Sequence, residues 1–428
     1  MSQPLRLGIA GLGTVGVGVV QILRKQAKLL QARTGREIVI SAVSARDRTK
    51  DRGVTLSSYA WEDDPVALAK RDDVDVFVEL IGGEDGPAKD ACEAALALGK
   101  DVVTANKAML AMHGQSLAET AEERGCVIKY EAAVAGGIPV IKTLSEALAG
   151  NEITRVMGVM NGSCNYMLTR MEDAGLTYAE VFAEADGLGY LEADPQLDVG
   201  GIDAAHKLAI LSSLAFGTKV NFAGIELEGI ERVSIEDITA AADMGYKIKL
   251  LGVAQMTGRG LEQRMQPCLV PETSPLGQLQ GGTNMIVLEG DSVGQIVLRG
   301  PGAGAGPTAS AVLSDICDIA RGVRGPVFGQ AATKLEDATP ALSKRPAAYY
   351  LRMALKDKPG ALAKVAAVLG EAGVSIDRMR QYAHADDHAP VLIVTHKITR
   401  SDLDHALSAM ATTNVVAADP VALRIEEV

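Results

Sequence analysis

The sequence has 428 residues and a formal net charge of −12, and 4 % of the residues are aromatic. This length predicts about three domains, and the acidic balance argues against nucleic acid or an anionic membrane as a partner. The five cysteines show no C-x-x-C spacing, which argues against a disulfide framework or a zinc cluster and fits a reducing compartment. Without a signal peptide or an apolar run of membrane-spanning length, the chain is expected to be cytoplasmic.

A glycine motif follows the first strand-like run, Leu5 to Ala10. Gly11, Gly13 and Gly16 give the spacing G-x-G-x-x-G, and a helical pattern comes next. In this context the glycines allow a tight turn, close approach of the backbone to a pyrophosphate and helix-on-strand packing. The helix N-terminus adds N–H groups for phosphate. The pattern predicts a dinucleotide loop, with a strand–helix turn without nucleotide as the alternative; its residues are Gly11, Gly13, Thr14, Val15 and Gly16.

The second predicted strand, Glu37 to Ser44, indicates which nucleotide is preferred. An acidic residue at its tip would hold a ribose 2′-hydroxyl, but here Arg46 leads, with Arg48 and Lys50 behind it. Cations at this point suit a 2′-phosphate, so we expect NADP(H) to be the preferred cofactor. Asp47 keeps NAD(H) open as a second cofactor, and solvated loop cations are the alternative interpretation.

Three more strands are predicted in this half of the chain, over residues 73–83, from residue 101 into the Thr104–Lys107 segment, and over 126–134. Because ligands of open α/β sheets bind beyond the carboxyl ends of strands, Lys107 is expected to face a cofactor or substrate. A surface lysine that opens a helix is the alternative. The Gly136–Gly137 pair is expected to mark the boundary of the nucleotide domain.

From Pro139 to about Gly300 the pattern mixes helices and strands. Strands are predicted over 153–160, 247–256 and 284–290, with an acidic helix between the last two, and helices after 161–166 and over 177–189. This mixture predicts an α+β substrate domain. The glycine-rich segment 300–310 either approaches a cofactor closely or is a hinge that returns the chain to the first domain.

The stretch 187–207 concentrates charged residues among glycines and small apolar residues: Glu192, Asp194, Asp198, Asp203 and Lys207. A helix is predicted from residue 202, and Asp203 and Lys207 share one of its faces because they are four residues apart. Glu192 and Asp198 are expected on the loop that leads to this face. The alternative is an acidic surface loop followed by a weak helical ion pair.

A polar linker over about residues 325–345 precedes a compact C-terminal unit. Its pattern predicts a strand, a helix, two strands, a helix and a last strand, with the second strand over 374–384. This order matches the ferredoxin-like motif.

Taken together, these blocks resemble homoserine dehydrogenase in the form that carries a C-terminal ACT domain. The resemblance covers nearly the whole chain and is most specific in GLGYLEADPQLDVGGIDAAHK, residues 187–207. It implies an α/β protein with a Rossmann domain over 1–137, to which the chain returns at about 305–330. An α+β substrate-binding and dimerisation domain over 138–304 and a ferredoxin-like ACT domain over 346–428 complete it. The implied reaction is the reversible reduction of L-aspartate 4-semialdehyde by NAD(P)H to L-homoserine, in threonine, methionine and isoleucine biosynthesis.

The resemblance also implies three groups of site residues. Those of the substrate and the reaction are Lys207, Lys107, Asp203, Glu192 and Asp198. Those of the cofactor, beyond the glycine loop, are Arg46, Lys107, Gly189 and Gly302. A sodium site is implied at the Glu131 carboxylate and nearby backbone carbonyls, where oxygen ligands suit a hard cation and a plain Gly-Gly turn is the alternative; its residues are Glu131, Val134, Gly136 and Ile138.

The implied chemistry assigns a role to each lysine. Hydride transfer to the aldehyde carbon places negative charge on oxygen, which a lysine ammonium can stabilise and protonate. Lys207 is implied as the general acid, Lys107 as a second essential lysine near the nicotinamide, and Glu192 as the partner of the substrate ammonium. A lysine pKa of ~10.4 is high for this task, so we expect burial and the neighbouring cation to lower it. His206 is expected to be structural, because it points to another side of the helix.

In related enzymes ACT domains often bind an amino acid between paired domains. The resemblance therefore implies feedback inhibition by L-threonine and a homodimer or homotetramer, with a dimerisation or stability module without effector as the alternative. For the whole chain, the alternatives are a nucleotide-binding amino-acid sensor without catalysis and another NAD(P)-linked amino-acid oxidoreductase.

Overall fold

The computed structural model describes residues 3–341, 345–381 and 388–428. Its N-terminal unit has a parallel six-stranded sheet in the order β3-β2-β1-β4-β5-β6. Between β1 and β4 the winding direction reverses, and nucleotides bind at this switch point in doubly wound sheets. The elements are β1 Leu5–Ala10, α1 Thr14–Thr34, β2 Ile38–Ser44, β3 Ala60–Glu62, α2 Pro65–Lys70, β4 Val76–Glu79, α3 Pro87–Ala97, β5 Asp101–Thr104, α4 Lys107–Glu123 and β6 Ile128–Lys129.

The central unit packs helices on a mixed sheet, and α9 lies almost wholly buried against it. Its elements are α5 Val140–Lys142, β7 Ile153–Val159, α6 Gly162–Ala174, α7 Tyr178–Gly187, α8 Gln196–Val199, α9 Ile202–Phe216, β8 Glu226–Leu227, α10 Ile235–Asp243, β9 Tyr246–Thr257, β10 Gly260–Pro271, β11 Thr283–Gly290, β12 Gly294–Pro301 and α11 Ala305–Arg321. Helix α11 packs back onto α1, where a Cβ on Gly18 would lie 2.9 Å from the Ala305 carbonyl oxygen.

Three details of the sequence-based prediction are wrong. The stretch between residues 256 and 284 forms strand β10, which pairs with β9 along its whole length, and the acidic helix α10 precedes β9. The predicted strand over 126–134 ends at Lys129, because Glu131–Ala133 form a 3₁₀ turn. Asp198 lies in the short helix α8 rather than on a loop. The first two errors concern strands. Whether and how far a segment forms a strand depends on its pairing with residues distant in sequence, which local patterns do not contain.

The C-terminal unit confirms the predicted β-α-β-β-α-β order. Its elements are β13 Ala348–Lys356, α12 Ala361–Glu371, β14 Ile376–Gln381, β15 His388–Thr395, α13 Arg400–Ala411 and β16 Val421–Ile425. The end of the predicted second strand, residues 382–384, lies outside the described residues. Within residues 3–341, 345–381 and 388–428, none of the helices combines the length and apolarity needed to cross a membrane.

One continuous sheet of ten strands joins the central and C-terminal units. Strand β16 pairs in parallel with β10, at Cys268 and Leu269. A buried cluster of charges lies at this seam: Glu426 Oε2 lies 2.5 Å from Arg264 Nη2 and 3.1 Å from Arg424 Nε. Burial raises the pKa of Glu426, but the arginines outweigh it and hold the pKa below its usual value. The seam is therefore a desolvated ion-pair network, in which each charge depends on its partners.

The seam predicts that Glu426→Ala destabilises the full chain by about 3 kcal/mol, because it removes one partner of a buried ion pair. Arg264, only 1 % exposed, would lose its Glu426 contact. Urea unfolding followed by circular dichroism measures the change in midpoint. Glu427→Ala is the matched control: its ion pair with Lys397 is 2.6 Å long but exposed, so the midpoint should stay in place. Equal midpoints for the two variants would contradict the prediction.

Candidate active site

A cleft of about 580 Å³ opens at the carboxyl ends of the Rossmann strands, between that sheet and the central unit. All five predicted substrate and reaction residues line it. The predicted residues in its lining are Val15, Lys107, Gly136, Gly189, Glu192, Asp198, Asp203, Lys207 and Gly302. A larger cavity, of about 740 Å³, lies beside Arg155 and Arg345; none of the predicted site residues lines it, so its size carries no functional argument.

The three glycines of the first turn meet different physical demands. Gly11 has φ +96°, and a Cβ there would lie 2.2 Å from the Leu80 carbonyl oxygen. A Cβ on Gly16 would lie 2.0 Å from the Gly11 oxygen, whereas Gly13 faces open space. Helix α1 begins at Thr14 without a side-chain cap, so its first N–H groups point toward that space. The turn therefore has the geometry of a pyrophosphate-binding loop.

The tip of β2 presents a cation rather than a carboxylate. Arg46 is exposed, and among the described residues it has no hydrogen bond or ion pair. The Asp47 carboxylate instead accepts hydrogen bonds from the Thr49 backbone and hydroxyl, at 2.8 and 2.7 Å. Arg52, which the sequence analysis missed, fastens this tip to the glycine turn: its Nε donates to the Leu12 oxygen at 3.1 Å, and its Nη2 to the Asp47 oxygen at 2.6 Å.

Asp203 lies between the two lysines at the centre of the cleft. Its Oδ1 is 2.8 Å from Lys107 Nζ, and its Oδ2 is 2.6 Å from Lys207 Nζ. Lys207 also donates to the Met160 carbonyl oxygen at 2.8 Å. Glu192 Oε1 is 3.8 Å from Lys107 Nζ and remains half exposed at the mouth of the cleft. Because α4 carries Lys107 and α9 carries the other pair, this cluster ties the Rossmann unit to the central unit.

A buried polar network that the sequence analysis missed fixes Lys107 at the first position of α4. Asn106 caps the helix by accepting from the Met109 N–H at 3.1 Å, and its amide donates to the Gly83 oxygen at 2.7 Å. The Thr104 hydroxyl accepts from the Asn106 backbone N–H and donates to the fully buried Glu79 carboxylate at 2.5 Å. Burial raises the pKa of Glu79. The TAN segment after the strand was the available signal, since asparagine before a helix is a common cap.

Asn161 is a further residue that the sequence analysis missed. Its amide donates to Asp198 Oδ1 at 2.8 Å and to Asp203 Oδ2 at 3.3 Å, while its oxygen caps α6 at the Cys164 N–H. Asp198 Oδ2 in turn accepts from the Glu192 N–H at 2.8 Å. Burial raises the pKa of the Cys164 thiol well above its usual value, so a thiolate nucleophile is disfavoured here. The network holds the Asp198 and Asp203 carboxylates and the Glu192 backbone in one frame.

The expected fall in lysine pKa is wrong for Lys107. Burial lowers the pKa of Lys107, but Asp203 and Glu192 outweigh it, and the pKa is raised above its usual value. Burial likewise raises the pKa of Asp203, yet the two lysines outweigh it and hold that pKa far below the usual range. The ion pairs of Asp203 therefore stabilise the fold above about pH 4 and are lost as the pH falls further. Sequence spacing did not reveal that a carboxylate would separate the lysines.

The segment implied as a sodium site is strongly bent. Ala135 and Gly136 have φ of +57° and +54°, and a Cβ on Gly136 would lie 2.5 Å from the Gly302 oxygen. The Glu131 carboxylate accepts from the Ile141 and Lys142 N–H groups, both at 2.9 Å, and burial raises its pKa. A buried carboxylate beside a curved backbone fits a hard cation as a donor set.

The fold and the cleft together define a class of protein. A doubly wound sheet with an open glycine turn faces a carboxylate held between two lysines, which is the arrangement of a nicotinamide-dependent oxidoreductase with an acid–base site.

Comparison with known proteins gives the family. Family models match for the NAD-binding domain of homoserine dehydrogenase over residues 11–131, for homoserine dehydrogenase over 139–317 and for the ACT domain over 349–412. The homoserine dehydrogenase of Neisseria gonorrhoeae is 42 % identical over 433 residues, which cover 99 % of each chain. The chain belongs to the homoserine dehydrogenase family, as the sequence resemblance indicated.

Solved structures agree with this assignment. A homoserine dehydrogenase from Thiobacillus denitrificans matches with a TM-score of 0.94 and 36 % identity, over 99 % of both chains. A hyperthermophilic archaeal homoserine dehydrogenase in complex with NADPH matches with a TM-score of 0.65 and 26 % identity, over 76 % of this chain and 100 % of its own. The predicted α/β fold with Rossmann and ACT domains is confirmed.

The ion pairs predict that Asp203→Asn lowers the pKa of Lys107, because burial would then act against a weaker opposing charge. The pH titration of the lysine ¹³Cε signal by NMR measures this pKa. Glu192→Gln is the control: this carboxylate is farther away and half exposed, so the decrease should be smaller. A Lys107 pKa that stays unchanged in Asp203→Asn would show that the carboxylate does not hold the proton on this lysine.

Proposed function

We propose that this chain catalyses the reversible reduction of L-aspartate 4-semialdehyde to L-homoserine, with Lys207 as the general acid. The observation that carries the assignment of roles is Asp203, held between Lys107 and Lys207 in a cleft that adjoins the glycine turn. A bound nicotinamide supplies the hydride in one direction and accepts it in the other. The residues of the chain bind and orient the substrate and move its proton.

The contacts of Lys207 support its role. An ammonium has three N–H donors, and those of Lys207 reach Asp203 and the Met160 oxygen. Among the described residues its third donor has no acceptor, which leaves it for the substrate oxygen on which charge develops. Asp203 accepts from both lysines and raises the pKa of Lys107, and Glu192 at the cleft mouth suits the substrate ammonium.

The first experiment is steady-state oxidation of L-homoserine by wild type and Lys207→Met. General acid–base catalysis contributes typically ~10²–10⁴-fold, so we expect kcat to fall by at least that lower factor while NADPH affinity, measured by fluorescence, stays within twofold. Lys219→Met, on a lysine paired with exposed Asp337, is the control for removing a lysine. Wild type that turns over no homoserine with either cofactor would favour an amino-acid sensor or another amino-acid oxidoreductase.

We propose that Arg46 makes NADP(H) the preferred cofactor, with NAD(H) as a second one. A charge-assisted hydrogen bond contributes ~1.5–3 kcal/mol, so Arg46→Ala should lower kcat/KM with NADP⁺ at least tenfold and leave the value with NAD⁺ nearly unchanged. Arg48→Ala is the matched control, because that guanidinium lies over the Trp61 ring, 5.7 Å from its centroid. Equal losses with both cofactors would remove Arg46 from the 2′-phosphate site.

We also propose a sodium ion at Glu131 and the backbone carbonyls of Val134, Gly136 and Ile138. The bent backbone beside Gly302 supports it, since a cation there would brace the glycine segment that faces the cofactor. Replacing NaCl by choline chloride at constant ionic strength should lower the thermal midpoint of wild type more than that of Glu131→Gln. Identical shifts in the two proteins would exclude the site.

The division into functional units is part of the same proposal: a nucleotide domain over 1–137 and about 305–330, a substrate and dimerisation domain over 138–304, and a regulatory domain over 346–428. We propose a homodimer or homotetramer, which light scattering on the purified protein tests directly.

A cytoplasmic location is supported by five buried, unpaired cysteines, since disulfides are rare in reducing compartments.

We propose L-threonine as the effector of the C-terminal unit. Deleting residues 346–428 would be an unclear test, because it would also remove β16 from the sheet and Glu426 from Arg264. Inhibition of homoserine oxidation by threonine, with hydrogen exchange on the full chain, separates the possibilities. We expect inhibition together with slower exchange in residues 357–381. Inhibition with protection only in 189–207 would indicate competition in the cleft, and absent inhibition would reject the effector.

A further inference from the structure

Lys249 is a buried lysine for which the reaction has no use. It lies within β9 and is 3 % exposed. Its Nζ donates to Asn165 Oδ1 at 3.0 Å and to the Leu279 carbonyl oxygen at 2.5 Å. Burial lowers the pKa of Lys249 to about 8, and Glu172 partly opposes the change. Burying a cation that is bonded only to uncharged oxygens costs free energy. The segments that these two hydrogen bonds connect are therefore of interest.

The partners of Lys249 fasten the segment 279–281 to helix α6. The Asn165 amide donates to the Gly281 oxygen at 2.7 Å, and the Gly281 N–H donates to Thr169 Oγ1 at 3.3 Å. Thr169 closes the network by donating to the Asn165 backbone oxygen at 2.7 Å. Both ends of the segment are thus bonded, one to the strand through Lys249 and the other to the helix.

This segment leads directly into the cleft. Gly282 follows it and abuts the first residue of α6: a Cβ on Gly162 would lie 2.6 Å from the Gly282 oxygen. Gly162, Gly282 and Tyr190 all line the cleft. Asn161, the cap of α6, bonds to Asp198 and Asp203. A shift of the segment would therefore reach the carboxylate frame through the N-terminal turn of α6.

We propose that Lys249 is a positioning residue for the substrate side of the cleft, acting through Asn165 and the segment 279–282 on the N-terminal turn of α6. The proposal rests on the assignment of Asp198, Asp203 and Glu192 to the substrate. It predicts that replacing Lys249 lowers kcat/KM for L-homoserine and leaves cofactor affinity unchanged, because the glycine turn at Gly11–Gly16 belongs to another sheet.

The test compares Lys249→Met with Lys247→Met in the full chain. Lys247 lies two residues earlier on the same strand and forms an ion pair with Glu172 of the same helix, but it has no bond to 279–282. A misplacement of about 1 Å can cost on the order of 10²-fold, so we expect kcat/KM for L-homoserine to fall by about that factor in Lys249→Met. Lys247→Met should stay within threefold of wild type, and NADPH affinity should be unchanged in both.

A second variant covers the case in which Lys249→Met does not fold. Asn165→Asp keeps an acceptor for Lys249 and gives it a charged partner, but it loses the amide donor to the Gly281 oxygen. We expect a thermal midpoint at or above that of wild type, together with at least a tenfold rise in KM for L-homoserine. An unchanged KM in this folded variant would overturn the proposal, as would equal kcat/KM values for Lys249→Met and Lys247→Met.

Hydrogen exchange gives a measurement that does not depend on turnover. Faster exchange at residues 279–282 and 161–166 in Lys249→Met, and not in Lys247→Met, is the expected result. Uniformly faster exchange across the central unit would reduce Lys249 to a general stabilising role and overturn the proposal. Wild type that fails to oxidise homoserine would instead reject the proposed function, while the exchange result would still decide whether Lys249 holds the segment.

Discussion

The carboxylate of Asp203 is the interaction on which the rest of the cleft depends. It is almost fully buried, and it is stable there only because Lys107 and Lys207 lie within hydrogen-bond distance on either side. One lysine comes from the nucleotide unit and the other from the helix that carries Asp203. The same three charges therefore close the interface between two units and line the cleft in which the reaction is proposed to occur. Stability and reactivity are coupled at this point, because either lysine alone would leave the site with a different charge.

Around this triad, uncharged side chains supply direction rather than charge. Asn161 donates to two carboxylates, Asn106 caps the helix that begins with Lys107, and Asn165 joins Lys249 to the segment 279–281. Each of these groups satisfies buried donors and acceptors that would otherwise be costly. Accurate placement of a few charges thus requires a larger number of neutral hydrogen bonds.

The C-terminal unit is part of the same structure rather than an attached module. Its last strand extends the sheet of the central unit, and Glu426 fills a desolvated position among three arginines of two units. Effector binding on this unit would act on a sheet in which β9, the strand that carries Lys249, pairs with β10. Because close-packed interiors have low compressibility and transmit strain, the seam gives a physical basis for communication between the C-terminal unit and the cleft.

The sequence by itself determined the glycine turn, the order of elements in the ferredoxin-like unit and the charged stretch 187–207, because each depends on neighbours within one turn or one strand. Asp203 and Lys207 could be paired from their spacing of four residues. Only the tertiary structure decided that Asp203 also contacts Lys107 and that β16 pairs with β10. It also decided that Asp203 and Glu192 raise the pKa of Lys107 by more than burial lowers it. The contacts of Asn161, Arg52 and Lys249 were decided there as well. These contacts join residues that are far apart in the chain. The pKa of a buried charged group depends on partners within a few ångströms, and only folding brings those partners together.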